Sequence, residues 1–237
     1  PELAYDRVVH EGLIAIFYRI AGQSLLEFKP LAVFEGQRKI EAVFKAANAI
    51  LLTEWNDHLT FTQGRHPREA LENWLGFRLK AGGNIEKFIK ENCRVNPDTP
   101  GFIINGEVFP NPLHYSRLKE VWGGVRLMDF ATGFLHRDLN TNNILVKFKK
   151  DENKPTGLYL IDFALFKDGM PLLYDQRYLE MSYLTQIVLR VSFDKIAAYL
   201  TLKVVGSQPG QLDVPIEMAG IRAVIDSSRQ CLGDWVV

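Results

Sequence analysis

Eight consecutive residues, His136-Arg137-Asp138-Leu139-Asn140-Thr141-Asn142-Asn143, place a carboxylate at Asp138 and an amide at Asn143, and a second carboxylate, Asp162, closes the apolar run Leu158-Tyr159-Leu160-Ile161. One carboxylate can orient or deprotonate a hydroxyl. An amide oxygen and a second carboxylate are hard oxygen donors of the kind that hold a small divalent cation. Those three functions together are what phosphoryl transfer asks of a protein, since its catalysis is mostly positioning and charge neutralisation. The pattern H-R-D-L-x-x-x-N fixes five residue types in one window, which chance would supply in roughly one chain in ten thousand of this length.

The elements around these residues must bring Asn143 and Asp162 together. Ile144-Leu145-Val146 is a β-branched strand signal directly after the loop, and Leu158 to Ile161 is a second just before Asp162. Lys147 to Gly157 between them is polar and carries Asn153, Pro155 and Gly157, the composition of a hairpin connection. Two short strands joined by that turn put Asn143 and Asp162 at the same end of the hairpin. His136 reads as a packed, hydrogen-bonded loop histidine rather than a chemical participant. Asp175, at the head of a strong helical pattern, reads equally well as an ordinary helix-start acid.

These motifs resemble the protein-kinase-like superfamily, and the resemblance implies an α+β protein-kinase-like fold, represented mainly by its helical C-terminal lobe. It implies that Asp138 is the catalytic aspartate, that Asn143 and Asp162 are magnesium ligands, and that ATP is the phosphate donor. His136 and Arg137 would be structural supports, and Asp175 would brace the catalytic loop. Three departures from protein kinases make the chain more similar to the aminoglycoside phosphotransferase and choline kinase branch. It reads Asp162-Phe163-Ala164 rather than Asp-Phe-Gly, no Ala-Pro-Glu follows, and Asn140 stands where serine/threonine kinases carry lysine. The stretch from Ile161 to Leu165, with Asp175 and Leu179-Glu180, is also similar to a bacterial group of kinase-like domains described as ternary-complex-associated.

The beginning of the chain departs further. No G-x-G-x-x-G or G-x-x-x-x-G-K-[ST] is present, and the first lysine is Lys29. Leu3 to Val9 and Leu13 to Ile20 read as two strands closed by Ala21-Gly22, which look like the end of a small lobe and its hinge. On that reading residues 1–22 are a remnant of N-terminal lobe strands and hinge, residues 23–237 are the helical lobe, and the backbone of Ile20, Ala21 and Gly22 faces an adenine ring. The chain is then expected to be a fragment of a longer phosphotransferase, inactive by itself. The alternative is a catalytically silent pseudokinase module that binds nucleotide or protein partners.

Helical periodicity is expected over Gln37–Trp55, Pro67–Lys80, Ile85–Cys93 and Tyr178–Val205, with a last helix around Ile216–Ile225. Asn96 to Pro112 is rich in proline and glycine and reads as loop around a Phe102-Ile103-Ile104 strand. Lys+Arg 28 equals Asp+Glu 28, so charge gives no case for nucleic acid or an anionic membrane as partner. Two widely spaced cysteines, Cys93 and Cys231, fit a reducing cytoplasm rather than a disulfide scaffold. No apolar run nears a membrane span, no charged-then-apolar leader opens the chain, the histidines lack zinc spacing, and Gly-x-Ser-x-Gly is absent. The acceptor is an unidentified hydroxyl-bearing molecule or protein side chain.

Overall fold

The computed structural model describes residues 8–10, 13–15, 27–56, 60–104, 106–118, 120–188, 220 and 222–230. The protein is mixed α+β and divides into two compact units. The first comprises Pro1–Asp57, His136–Phe166 and Asp175–Val237, and the second His58–Leu135 and Lys167–Tyr174. The boundary expected after Gly22 lies outside the described residues.

In the first unit a short antiparallel pair, β1 (Val8–His10) and β2 (Leu13–Ala15), occupies part of the two strands expected at the start. A three-stranded antiparallel sheet follows the order β3 (Lys29–Pro30), β8 (Ile144–Phe148), β9 (Pro155–Leu160). The β8–β9 pair is the hairpin expected from sequence, with Ile144 opposite Leu160 and Val146 opposite Leu158. Pro30 sits on the outer strand, where a missing N–H breaks no ladder. Helix α1 (Gln37–Ala49) buries Ile40, Val43, Phe44 and Ala47, the three-and-four stripe of its sequence. A π-turn over Ile50–Glu54 then closes with Trp55 N–H donating to Ile50 O at 3.0 Å, so the expected single helix to Trp55 changes pitch in its last turn.

The core of this unit gathers α1 with Leu31, Leu139, Ile144, Val146, Leu179, Tyr183, Leu184, Val224 and Ile225. Tyr183 packs edge-on to Phe44 at 5.5 Å. Leu179, Tyr183 and Leu184 belong to helix α5 (Tyr174–Val188), and the remainder of the helix expected to Val205 lies outside the described residues. Residues 222–230 are helical, a few positions later than the expected last helix. Asn48 of α1, fully buried, donates to Ser228 Oγ at 2.7 Å and so ties α1 to that helix through polar groups inside an apolar core.

The second unit corrects the expectation that the rest of the chain is helical. Its centre is an antiparallel sheet of order β10 (Lys167–Pro171), β7 (Met128–Leu135), β4 (Thr60–Arg65). Sequence missed these strands for a physical reason: Asp168-Gly169 and Gln63-Gly64 carry turn chemistry, and here that chemistry makes bulges. Gly64 (φ +62°) and Gly169 (φ +71°) occupy left-handed backbone at the two register shifts, one on each side of β7. The Gly64 N–H, displaced from the ladder, donates to Asp129 Oδ1 at 2.8 Å.

Helix α2 (Pro67–Leu79) starts where expected, with Pro67 in its first turn and His66 Nδ1 accepting the Arg68 N–H. Its Trp74 meets Phe130 of β7 edge-on at 6.1 Å. Helix α3 (Asn84–Glu91), the hairpin β5 (Gly101–Ile104) and β6 (Glu107–Pro110), and helix α4 (Pro112–Arg117) complete the unit. Asn111, fully buried, organises the proline-rich stretch by donating to Pro97 O and Thr99 O and accepting from Leu113 N–H.

Glu86 of α3, nearly buried, accepts from Lys90 at 2.6 Å and from Arg117 of α4 at 2.7 Å. These two hydrogen-bonded cations hold its carboxyl at about 2, below its ordinary 4.5. A lowered acid stabilises the fold above its unfolded value, and that stabilisation is lost as pH falls from 4.5 toward about 2. Glu86→Gln is therefore expected to lower the urea midpoint at neutral pH. The gap to the unsubstituted protein should narrow steadily below pH 4.5, as unfolding curves across that range would show.

Candidate functional site

The loop from His136 to Asn143 is held from several sides within the first unit. Leu139 is fully buried in the core and anchors the middle of the loop. Asp175, in the first turn of α5 and fully buried, accepts the His136 N–H on Oδ2 at 2.6 Å and the Arg137 N–H on Oδ1 at 2.8 Å. Both oxygens of the carboxylate are thus engaged by the loop backbone. Burial raises the Asp175 carboxyl above its ordinary 3.8, and the two backbone donors pull it part of the way back.

His136 is fully buried and its two ring nitrogens have opposite tasks. Nδ1 accepts the Asp138 N–H at 3.3 Å, which puts the ring proton on Nε2, and Nε2 donates to Ile161 O at 2.7 Å. The ring also lies 5.1 Å from Phe163. One side chain therefore links the backbone at Asp138 to the backbone just before Asp162. Trp55, delivered by the π-turn, packs on the same segment, tilted to Phe163 at 5.5 Å and edge-on to Phe166 at 5.9 Å.

Asn143 Nδ2 donates to Asp138 O at 2.8 Å and to Asp138 Oδ2 at 3.3 Å. With its nitrogen committed to Asp138, the amide turns Oδ1 the other way. The Asn143 carbonyl accepts from Ile161 N–H at 3.0 Å, extending the β8–β9 ladder by one rung. Asp162 is the next residue, exposed, with left-handed backbone (φ 64°, ψ 67°). Asp138 and Asn143 are thus brought into direct contact, and Asp162 stands one residue beyond the end of the strand pair that carries Asn143.

Among the described residues only four non-glycine positions have positive φ, and Arg137 and Asp162 are two of them. Aspartate tolerates that region through local hydrogen bonding and arginine does so poorly, so conformational strain is concentrated at the two ends of this site.

The oxygen donors that could serve a cation are Asn143 Oδ1, whose amide touches Asp138, and the Asp162 carboxylate, one residue past the strand pair. No group of three or more His, Cys, Asp or Glu is placed to hold a metal among the described residues. An amide and one or two carboxylates are a poor set for zinc and a natural one for magnesium, which keeps waters and shares its shell with substrate phosphates. Ile20, Ala21 and Gly22, the expected adenine-facing segment, lie outside the described residues.

Sequence reasoning missed a junction at Thr141. Its N–H donates to Ser182 Oγ at 3.1 Å, its carbonyl accepts from Ala32 N–H at 3.1 Å, and its hydroxyl accepts from Gln186 Nε2. The helical stretch offers Ser182 and Gln186 four residues apart on one face, but Glu180 and Thr185 beside them leave that pair without distinction in sequence. Asn140 adds a local tie, its amide donating to Asp138 O and accepting from Asn142 N–H.

No protein-family model, curated protein or solved structure matches the chain. No helix is long and apolar enough to cross a membrane among the described residues.

Asp175→Ala leaves two buried N–H groups without acceptors and is expected to cost about 2–5 kcal/mol of folding stability. Asp175→Asn should cost less, since one acceptor remains. Because the folded carboxyl lies above 3.8, the native state binds the proton more tightly, and this group's contribution, full below 3.8, falls as pH rises past it. Asp175→Asn should lack that slope, which urea unfolding of both proteins across the acid range would detect.

Proposed function

We propose that this protein is an ATP- and magnesium-dependent phosphotransferase acting on a hydroxyl acceptor. The observation that carries the reading is the Asn143 amide, whose nitrogen is pinned to Asp138 while its backbone is paired to the residue before Asp162. That arrangement supports a division of labour in which Asp138 faces the acceptor, and Asn143 with Asp162 faces the cation. Bound magnesium would neutralise charge on the phosphate chain. Asp138 would orient the acceptor hydroxyl and take its proton as the acceptor oxygen bonds to the terminal phosphorus and the bond to the departing ADP oxygen breaks. The buried Asp175 brace and the His136 bridge would hold the loop still through that step.

The resemblance to protein-kinase-like enzymes supports the same reading, with the adenine proposed to lie against Ile20 to Gly22. A second reading, a silent module that binds nucleotide or a protein partner, is favoured by one feature: Asn143 is only 9% exposed, so a cation must reach it through a narrow approach.

Calorimetric binding of ATP with and without magnesium, and ADP release over a panel of choline, aminoglycoside, sugar and serine-peptide acceptors, separate the two. Asp162→Asn is expected to abolish magnesium-dependent nucleotide binding. Asp138→Asn should retain binding and lose about 10²–10⁴-fold in turnover. ADP release indifferent to both substitutions would remove the phosphotransferase assignment, and tight nucleotide binding that is indifferent to magnesium and to Asp162→Asn would favour the silent module.

A further inference from the structure

The second unit contains a cleft of about 240 Å³ between α2, β7 and the bulged strands, and none of the residues discussed above as catalytic lies in it. Its wall is rich in hydrogen-bond donors. Arg65 and Lys167 bring two cations, and Glu69 brings one carboxylate. The Arg65–Glu69 pair is long, at 4.0 Å, with both side chains more than half exposed, so it does little to consume the guanidinium. Lys167 has no carboxylate partner among the described residues.

Trp74 lines the same cleft, and its indole N–H, shut off from solvent, has no acceptor among the described residues. Beside it, Phe130 meets the indole edge-on and Met170 is nearly fully buried, so the two rings form an apolar corner. Gly169, in left-handed backbone, would meet no atom within 4 Å if it carried a Cβ, so the bulge opens the wall rather than filling it.

We infer that this cleft binds a small molecule carrying a carboxylate next to a planar apolar group. The anion pairs with Lys167 and Arg65, and the planar part rests in the angle between the Trp74 and Phe130 rings. The volume is below the roughly 300–1,000 Å³ of drug-sized sites, which limits the ligand to about one ring and its acid group.

Benzoate is the probe. In two-dimensional nitrogen–proton spectra of the intact protein, the Trp74 indole resonance, identified by its loss in Trp74→Phe, should shift saturably with benzoate and not with benzylamine. Lys167→Gln should weaken that binding roughly tenfold or more. Arg65→Gln should weaken it as well. Both replaced side chains are exposed, and unchanged amide signals away from the cleft would verify the fold of each variant. An unsaturable shift, affinity unaltered in both Lys167→Gln and Arg65→Gln, or an equal response to inorganic phosphate or benzylamine would overturn the inference.

Discussion

A single buried carboxylate carries the loop on which the candidate chemistry rests. Asp175 gives one oxygen to each of two consecutive backbone N–H groups, at His136 and Arg137, and those groups have left regular structure and need acceptors. The second of them belongs to a residue in left-handed backbone. An isolated carboxylate inside a protein is costly, so this one is tolerable only because both lone-pair directions are filled. The loop and the start of α5 are each incomplete without the other.

The same economy runs through the rest of the site. Asp138 and Asn143 are held in contact, and Asp162 is set one residue past the strand pair that carries Asn143, by backbone groups and by side chains outside that trio: the His136 ring between two main-chain positions, Leu139 in the core, and Thr141 with all its polar atoms engaged. The indole of Trp55 backs the segment after Asp162 and is delivered there because α1 widens into a π-turn just before it. A straight continuation of α1 would rotate Trp55 by part of a turn and lose that contact.

Much of this was legible in the residue order. Local signals found the β8–β9 hairpin, α1, α2, α3 and the pairing of Asn143 with the end of β9, because strand propensity, helical period and turn chemistry agreed there. Asp175 was picked out by its place before a helical pattern, and the loop as its partner was only what the resemblance implied, since tertiary placement decides whether a first-turn acid serves its own helix or a neighbouring loop. The sheet of β4, β7 and β10 was invisible for the opposite reason. Asp168-Gly169 and Gln63-Gly64 are turn chemistry locally, and it is pairing with β7 that makes them bulges. Thr141 was passed over because a threonine among asparagines carries no pattern until α5 supplies Ser182 and Gln186.

Pro30 has an effect beyond the strand it ends. The sheet of β3, β8 and β9 presents β3 as an outer edge, and that edge is two residues long and closes with a residue that has no N–H to offer. A foreign strand seeking to lengthen the sheet there would find almost no ladder to join. The hairpin that carries Asn143 is thereby shielded on that flank against self-association into fibrous stacks, at no expense to its own pairing.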